Sequence, residues 1–173
     1  SKSSHHRFLP QNWKITRSNY QKSDDIDFVV DAEVKFDFSD NFFDATICLH
    51  TLYVIKNYIN CIEESMRVSK KFIIFDVPCV SREILHPNDY NRFTRQKLNS
   101  IMEDLKKEIN FDYYKIIPMG GTFSSSLTLI DPYLKFGIIR LILYLIAMFL
   151  DKIDKLLKVE CPFSYLILIK KHE

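Results

Sequence analysis

Two polar side chains of this 173-residue chain stand directly after apolar runs, where a chemical site is to be expected. Asp31 follows the run 26–30, and His50 follows the run 43–49. Apolar runs that end in polar turn residues are typical of parallel strands covered on both faces. Ligands of open α/β sheets bind beyond the carboxyl ends of such strands. The sequence therefore predicts a site edge that carries a carboxylate and an imidazole.

His50 is the candidate for proton chemistry. An imidazole at the end of a strand could orient a substrate or act as a general base. A single histidine more often has a structural role, and both interpretations stay open. Asp31 lies in the acid-rich segment 24–44. The turn preference of Asp and Asn explains such a segment equally well as a solvated surface, and Glu33 is expected to be exposed.

A second group of polar and aromatic side chains lies in the segment 79–93, which has neither strand nor helix periodicity. Binding residues are often carried by loops of this kind. The candidates for substrate recognition are His86, Asp89, Tyr90 and Arg92. Tyr90 and Arg92 could equally hold the loop on the fold, by stacking and by pairing with Asp89.

Composition narrows the classes of protein that the chain can belong to. With 47% hydrophobic and 14% aromatic residues, residues 1–173 are expected to form one globular domain. The net charge is +2 and there is no basic stripe with interleaved aromatic residues, so no nucleic-acid partner is expected. The four cysteines form no C-x-x-C pair, which favours free thiols in the cytoplasm over a metal site.

Periodicity and turn residues predict the secondary structure. Two amphipathic helices are expected over 58–68 and 95–108, the second with Thr94 as its N-cap. Residues 1–12 are expected to form a loop or a short frayed helix. The predicted strands are 13–16, 26–30, 43–49, 72–77, 111–118 and 163–169.

The most apolar segment is 133–150. The sequence predicts a buried helix or helical hairpin here, within a helical insert, 131–160, that precedes the last strand. The alternative is peripheral membrane contact through a helix that lies on the membrane surface, with Lys135, Arg140, Lys152 and Lys155 near the lipid headgroups. The clean apolar part, 141–150, is too short to span a bilayer.

Several short sequence motifs follow one another in a recognisable order. They are DAE at 31–33, DNFFD at 40–44, RV at 67–68 with the apolar run 72–77 and its Pro78, HPNDYNRFT at 86–94, and CPFSY at 161–165. In this order and spacing they resemble the class I S-adenosylmethionine-dependent methyltransferases, and among these the type 11 group. The resemblance covers about residues 14–171.

The resemblance implies a Rossmann-like α/β fold, with helices flanking a mostly parallel sheet of order 3-2-1-4-5-7-6 and an antiparallel last strand. It also implies S-adenosylmethionine as cofactor. Asp31 would accept the adenine amine, the amide of Ala32 would meet the adenine ring, and Asn19 stands where the family places a ribose-binding carboxylate. His50 would lie near the transferred methyl group, and residues 86–92 would shape the acceptor pocket.

The function implied is methyl transfer to a small-molecule or saccharide acceptor. The alternative is a catalytically inactive relative that acts as a binding or scaffold protein. A third possibility, which depends only on the apolar segment 133–150, is an enzyme of the membrane surface that acts on a lipid-linked sugar.

One element of the family is not found in this sequence. The chain has three glycines and no glycine-rich turn, whereas the family holds the methionine end of the cofactor with its first strand and a glycine loop. The chain is therefore expected to begin just after that loop and to lack the first strand. Because that strand is central in the family order, its loss would divide the sheet in the middle.

Overall fold

The computed structural model describes residues 10, 12–86, 88–157 and 159–172. Most of the predicted N-terminal loop, 1–12, lies outside the described residues, as does Pro87 of the predicted binding loop. The described residues form the strands β1 Ser18–Asn19, β2 Phe28–Val29, β3 Phe43–Leu49, β4 Ser69–Pro78, β5 Tyr113–Met119 and β6 Ser164–Lys170. The helices are α1 Tyr58–Val68, α2 Arg95–Glu108, α3 Thr122–Ile130, α4 Gly137–Leu150 and α5 Lys152–Leu157, with a 3-10 turn at Asp131–Tyr133.

The described strands form two separate sheets. One has four strands in the order β3-β4-β6-β5, and the other is the parallel pair β1-β2. β3 is parallel to β4, whereas β6 is antiparallel to both β4 and β5, so three of the four strands point in one direction. This confirms the predicted α/β class with an antiparallel last strand. The division separates β1 and β2 from the four later strands.

The hydrophobic core lies on one face of the four-stranded sheet. Ile73, Phe75 and Val77 of β4 are buried, and they alternate with the partly exposed Ile74 and Asp76. The buried face packs in one cluster with apolar side chains of α1 and α2. Alternation of this kind indicates a sheet covered on one face, so within the described residues the prediction of strands covered on both faces is wrong.

Two further strand predictions are corrected by the structure. Residues 13–16 are not a strand, because the pairing begins later: the amide of Arg17 donates to the Asp27 carboxylate at 2.7 Å, and its carbonyl accepts from Asp27 and Phe28. β2 is not buried either. Phe28 and Val29 are about half exposed, since β2 pairs only with the short β1 within the described chain.

Helix α3 was not predicted from the sequence. Its first amides are satisfied by carboxylates that lie far along the chain: Asp154 accepts from Thr122 at 2.6 Å, and Asp151 accepts from Phe123 at 2.8 Å. A helix needs partners for its first N–H groups, and here they come from the start of α5 and the residue before it. No local signal in the text around Ser124 indicates this arrangement.

Arg67 fastens the segment that leads into β3 to the end of α1. Its guanidinium donates to the carbonyls of Phe36 at 2.9 Å and Phe38 at 2.8 Å, and to the carboxylates of Asp40 and Glu64 at 2.7 Å each. These hydrogen bonds raise the pKa of Arg67, and the one to Glu64 lowers the pKa of that carboxyl. The network is partly buried, so the charged hydrogen bonds are stronger than those of an exposed pair.

We predict that Arg67→Met lowers the free energy of unfolding by about 2 kcal/mol, because it leaves two carbonyls and a half-buried carboxylate without their donor. Urea unfolding at neutral pH measures the loss. Lys107→Met is the matched control, since Lys107 pairs with Asp104 on the exposed side of α2. A loss for Arg67→Met no greater than that of the control would contradict the assigned role.

Candidate functional site

His50 and Asp76 meet at the carboxyl ends of β3 and β4. The register pairs Leu49 with Asp76, so the residue after β3 lies beside that carboxylate. The His50 amide donates to the Asp76 carbonyl at 3.1 Å, and its Nε2 lies 3.0 Å from Asp76 Oδ2. A carboxylate on one ring nitrogen orients the imidazole and selects its tautomer. With Nε2–H donating to Asp76, the neutral ring carries its lone pair on Nδ1.

The backbone of His50 lies in the left-handed region, with a φ of 51°. This region is uncommon for residues other than glycine, although His, Asn and Asp enter it more often than most. The conformation costs about 1 kcal/mol and is held here by the amide hydrogen bond to Asp76. Such outliers cluster at functional sites, so the geometry adds to the case for His50.

A cleft of about 270 Å³ opens beside His50. Its walls are mainly apolar, with a few polar groups that come from different elements. The side chains that matter most here are those of His50, Tyr53, Arg82, Thr128 and Ser164. An apolar cleft with a small number of convergent polar groups is the usual form of a small-ligand site. Burial and the charge of Asp89 raise the pKa of the Tyr53 phenol, which therefore stays protonated at neutral pH.

The predicted binding loop lies against the same wall. The carbonyl of Tyr53 accepts from the amides of Tyr90 at 2.8 Å and Asn91 at 3.1 Å, and the Arg92 guanidinium lies 5.7 Å from the Tyr53 ring centre. Tyr53 in turn meets His50 edge-on, with 6.5 Å between ring centres. A second cleft, of about 300 Å³, is lined by loop residues 81, 83 and 89–92. The structure thus brings the loop next to His50.

Asp89 and Arg92 form an ion pair inside this loop. Both carboxylate oxygens of Asp89 contact the Arg92 guanidinium, and one also accepts from the Ile84 amide at 3.2 Å. Arg92 donates further to the carbonyl of Arg82 at 3.2 Å. These contacts hold the loop, which is one of the two roles that the sequence left open. Recognition of an acceptor by Asp89 and Arg92 stays a prediction.

Tyr90 and His86 lie on the surface of the loop. The Tyr90 hydroxyl accepts from Asn88 Nδ2 at 2.8 Å, and the Lys56 ammonium lies 5.3 Å from the centre of its ring. His86 is exposed. Their predicted part in acceptor binding is not decided by these contacts, but both remain accessible to a ligand that enters over the loop.

The predicted cofactor residues lie at the carboxyl ends of β1 and β2. The Val30 amide donates to the Asn19 carbonyl at 2.9 Å, which sets Asn19 and Asp31 at the same end of this strand pair. Asp31 Oδ1 accepts from the Glu33 amide at 2.9 Å, and the Ala32 carbonyl accepts from an asparagine of α1. Asn19 Oδ1 accepts from the next amide along the chain at 2.8 Å.

Glu33 connects this segment to the start of α1. Its carboxylate accepts from the amide of Lys56, and the Asn57 amide lies 3.4 Å from the same oxygen. Glu33 is therefore half-buried, and the prediction that it is exposed is wrong, because it satisfies amides just before α1. Since the chain runs from His50 into α1, the segment 31–33 and the loop after His50 converge there.

Sequence reasoning missed Asp76 and Tyr53. Asp76 carries a weak signal, because it is the single charged residue in the otherwise apolar stretch 72–77. Its position beside His50 depends on the register between β3 and β4, which the amino-acid sequence does not show. Within the described ranges, no group of three or more His, Cys, Asp or Glu side chains could hold a metal ion.

Comparison with known proteins gives matches among solved structures only. No family model matches the chain, and no curated protein does. A SAM-dependent methyltransferase from Archaeoglobus fulgidus is 16% identical, with a TM-score of 0.47, over 78% of this chain and 62% of that one. A SAM-dependent methyltransferase from Thermotoga maritima, described as a possible histamine N-methyltransferase, is 15% identical, with a TM-score of 0.47, over 82% and 61%.

A third match is a putative methyltransferase of an antibiotic biosynthesis pathway in Anabaena variabilis. It is 14% identical, with a TM-score of 0.48, over 84% of this chain and 72% of that one. All three belong to the class that the sequence resembles. Identities and TM-scores of this size do not establish the family. The chain spans about three fifths of the length of the first two structures.

We predict that Asp89→Asn lowers stability by about 2 kcal/mol at pH 7, since Arg92 loses its charged acceptor. Hydrogen bonding to Arg92 holds the pKa of Asp89 below its ordinary value of 3.8. Asp89 therefore takes up a proton more readily in the unfolded chain than in the folded one. The contribution of the pair is complete above about pH 5 and is lost as the pH falls through 4 and below.

Urea unfolding between pH 7 and pH 3 measures this dependence. The midpoint should fall less steeply with acid in Asp89→Asn than in the wild type. Glu83→Gln changes an exposed carboxylate of the same loop and should keep the wild-type profile. Parallel profiles for the wild type and Asp89→Asn would show that the ion pair contributes nothing.

Proposed function

We propose that the chain takes part in methyl transfer from S-adenosylmethionine to a small-molecule or saccharide acceptor. The proposal is supported by the positions of the predicted site residues after strands, and by a four-stranded sheet whose order, β3-β4-β6-β5, agrees with the 4-5-7-6 part of the expected order. Asn19 and Asp31 lie at the ends of β1 and β2, and His50 lies at the end of β3. Ligands of α/β sheets bind along such an edge.

The residues present fit the adenosine end of the cofactor in part. Asp31 uses Oδ1 for its own turn, but a carboxylate accepts up to about four hydrogen bonds, so Oδ2 has capacity for the adenine amine. The amide of Ala32 would meet the adenine ring. Asn19 would bind the ribose hydroxyls through its amide, with less strength than a carboxylate. The chain has no glycine-rich turn for the methionine end.

The cofactor would supply a methyl group on a sulfonium, so the protein must align the acceptor and exclude water more than provide a strong base. His50 would hold the acceptor group, and Nδ1 could take its proton, while Asp76 fixes the ring and stabilises the imidazolium. The neutral phenol of Tyr53 lies in the same cleft and can donate a hydrogen bond to an acceptor oxygen. The near-neutral charge of the chain also favours a small molecule or a saccharide over nucleic acid.

A binding or scaffold role without catalysis is the second candidate. Its support is the amide of Asn19 in place of the ribose carboxylate and the Asp89–Arg92 pair, whose contacts hold the loop. The two candidates differ in cofactor binding, which can be measured directly.

We predict that S-adenosylhomocysteine binds this chain and that Asp31→Asn weakens binding about tenfold, because a charged hydrogen bond to the adenine amine is lost. Asn keeps an oxygen acceptor for the Glu33 amide, so the local turn persists. Isothermal titration calorimetry gives the dissociation constants. Asp37→Asn, an exposed carboxylate six residues along, should bind as the wild type does.

Absence of heat for the wild type would overturn cofactor binding by this chain and favour the scaffold role. Equally tight binding by Asp31→Asn would support cofactor binding by this chain but contradict a contact between Asp31 and the cofactor. Equal weakening in Asp37→Asn would show a general charge effect rather than a contact with adenine.

A further inference from the structure

Helix α4 exposes an unusual face. Besides Arg140, whose side chain is 52% exposed, eight side chains of α4 are at least half exposed, and these eight are all Ile, Leu, Met or Phe. They are Ile138, Ile139, Leu141, Ile142, Leu145, Ile146, Met148 and Phe149. At 3.6 residues per turn these positions cover about 180° of the helix circumference without a polar residue. Ile138, the most exposed of them, has 77% of its surface in contact with solvent.

The opposite side of α4 is the more polar one. Arg140, whose side chain is 52% exposed, pairs with Asp131 at 2.6 Å. Burial, and after it the charge of Asp131, raises the pKa of the partly buried Tyr144. The small Ala147 is buried, and α4 packs against α3. A helix on the surface of a water-soluble domain normally turns its apolar stripe inward and its polar side outward. In α4 the exposed arc is wholly apolar, and the covered side holds Ala147 together with Tyr144.

The apolar surface continues beyond both ends of α4. Tyr133 and Phe136 precede the helix, and Leu156 and Leu157 of α5 follow it; all four are more than 60% exposed. Together with the eight residues of α4 they form what we call the apolar ridge. Contiguous exposed apolar surface of this extent marks an interaction site.

The composition of the ridge favours lipid over a protein partner. Protein interfaces are only about 56–65% non-polar and contain polar groups even near their centres, whereas the exposed arc of α4 has none. Within the described residues, no helix is long and apolar enough to cross a membrane. The 14 residues of α4 extend for about 21 Å, against about 30 Å of hydrocarbon. The remaining arrangement is a helix that lies in the plane of the interface.

Charge around the ridge points to an anionic lipid surface. Lys135 and Lys152 are exposed at its two ends, and the Lys152 ammonium lies 5.0 Å from the centre of the Phe149 ring. The carboxylates of Asp151 and Asp154 point away from it, because they accept from the first amides of α3. Basic side chains beside an exposed apolar helix are the pattern of interfacial membrane helices.

We propose that the apolar ridge docks on an anionic phospholipid surface, with α4 parallel to the membrane plane. The docked ridge adjoins the cleft beside His50. Thr128 of α3 lines that cleft, and Arg82, also in its wall, lies 5.6 Å from the centre of the Tyr133 ring. Docking would therefore bring the cleft close to the lipid headgroups. The proposal goes beyond methyl transfer and does not depend on it.

Flotation of the whole chain with lipid vesicles tests the proposal. One set of vesicles contains phosphatidylcholine alone, and the other contains equal parts of phosphatidylcholine and phosphatidylglycerol. The expected result is binding to both, stronger to the anionic set and weakened by salt. Leu141→Glu with Leu145→Glu should reduce binding at least about tenfold, because two charges would enter the apolar layer.

Val34→Glu is the matched control, since Val34 is 54% exposed in the segment after β2, where its carbonyl contacts α1, and it should bind as the wild type does. Lys135→Glu with Lys152→Glu should lose the preference for the anionic set and keep binding to phosphatidylcholine. All these positions are exposed, and circular dichroism verifies that each variant is folded.

Three results would overturn the proposal. One is no flotation of the folded wild type with either set of vesicles. Another is undiminished flotation of the Leu141→Glu, Leu145→Glu variant. The third is a wild-type dimer in light scattering that does not float and that becomes monomeric in this variant, which would assign the ridge to a second copy of the chain. The assay contains no cofactor, so its outcome is independent of S-adenosylhomocysteine binding.

Discussion

The parallel register between β3 and β4 is the constraint on which the candidate site depends. It pairs Leu49 with Asp76, and this pairing places the His50 ring against a carboxylate and holds its backbone in a left-handed conformation. A slip of one residue in β4 would turn Asp76 into the core and bring Phe75 and Val77 out of it. The burial of those two side chains therefore maintains the geometry of His50.

Around this register the chain assembles an edge from separate segments. Glu33 joins the residues after β2 to the start of α1, and Tyr53 joins the loop after β3 to the binding loop. Arg67 holds the segment before β3 on the end of α1. Each connection is a side chain or carbonyl that satisfies backbone groups of another segment. Hydrogen bonds between loops thus hold the segments around the candidate site in place. The hydrophobic core, in contrast, lies on one face of the four-stranded sheet.

Much of the fold could be predicted where the signal is local. The bounds of α1, α2 and β3 agree with the prediction, because the pattern of apolar residues that defines each element lies within that element. For α2, the Thr94 cap is also a local signal. α3 could not be predicted, since Asp151 and Asp154 cap it from about 30 residues away along the chain. The burial of the strands was overestimated, because an apolar run does not reveal how many layers cover it.

The same distinction applies to the site. Asp31 and His50 could be singled out because they follow apolar runs, whereas Asp76 required the register and Tyr53 required the path of the loop. The apolar run 133–150 predicted a buried helix; a helix does form over 137–150, but the prediction of burial is wrong, because most of its apolar side chains are exposed. The exposure of eight apolar side chains of α4, with Ala147 buried on the other side, shows that its most apolar face points outward.

The most direct test of the account is a nitrogen-15 NMR titration of the assigned chain with S-adenosylhomocysteine. The account predicts that the amide signals of Asp31, Ala32 and His50 shift together at one dissociation constant, while that of Lys107 on α2 stays unchanged. Shifts confined to other parts of the chain, or at the segment 31–33 without His50, would contradict a single site along this edge of the sheet.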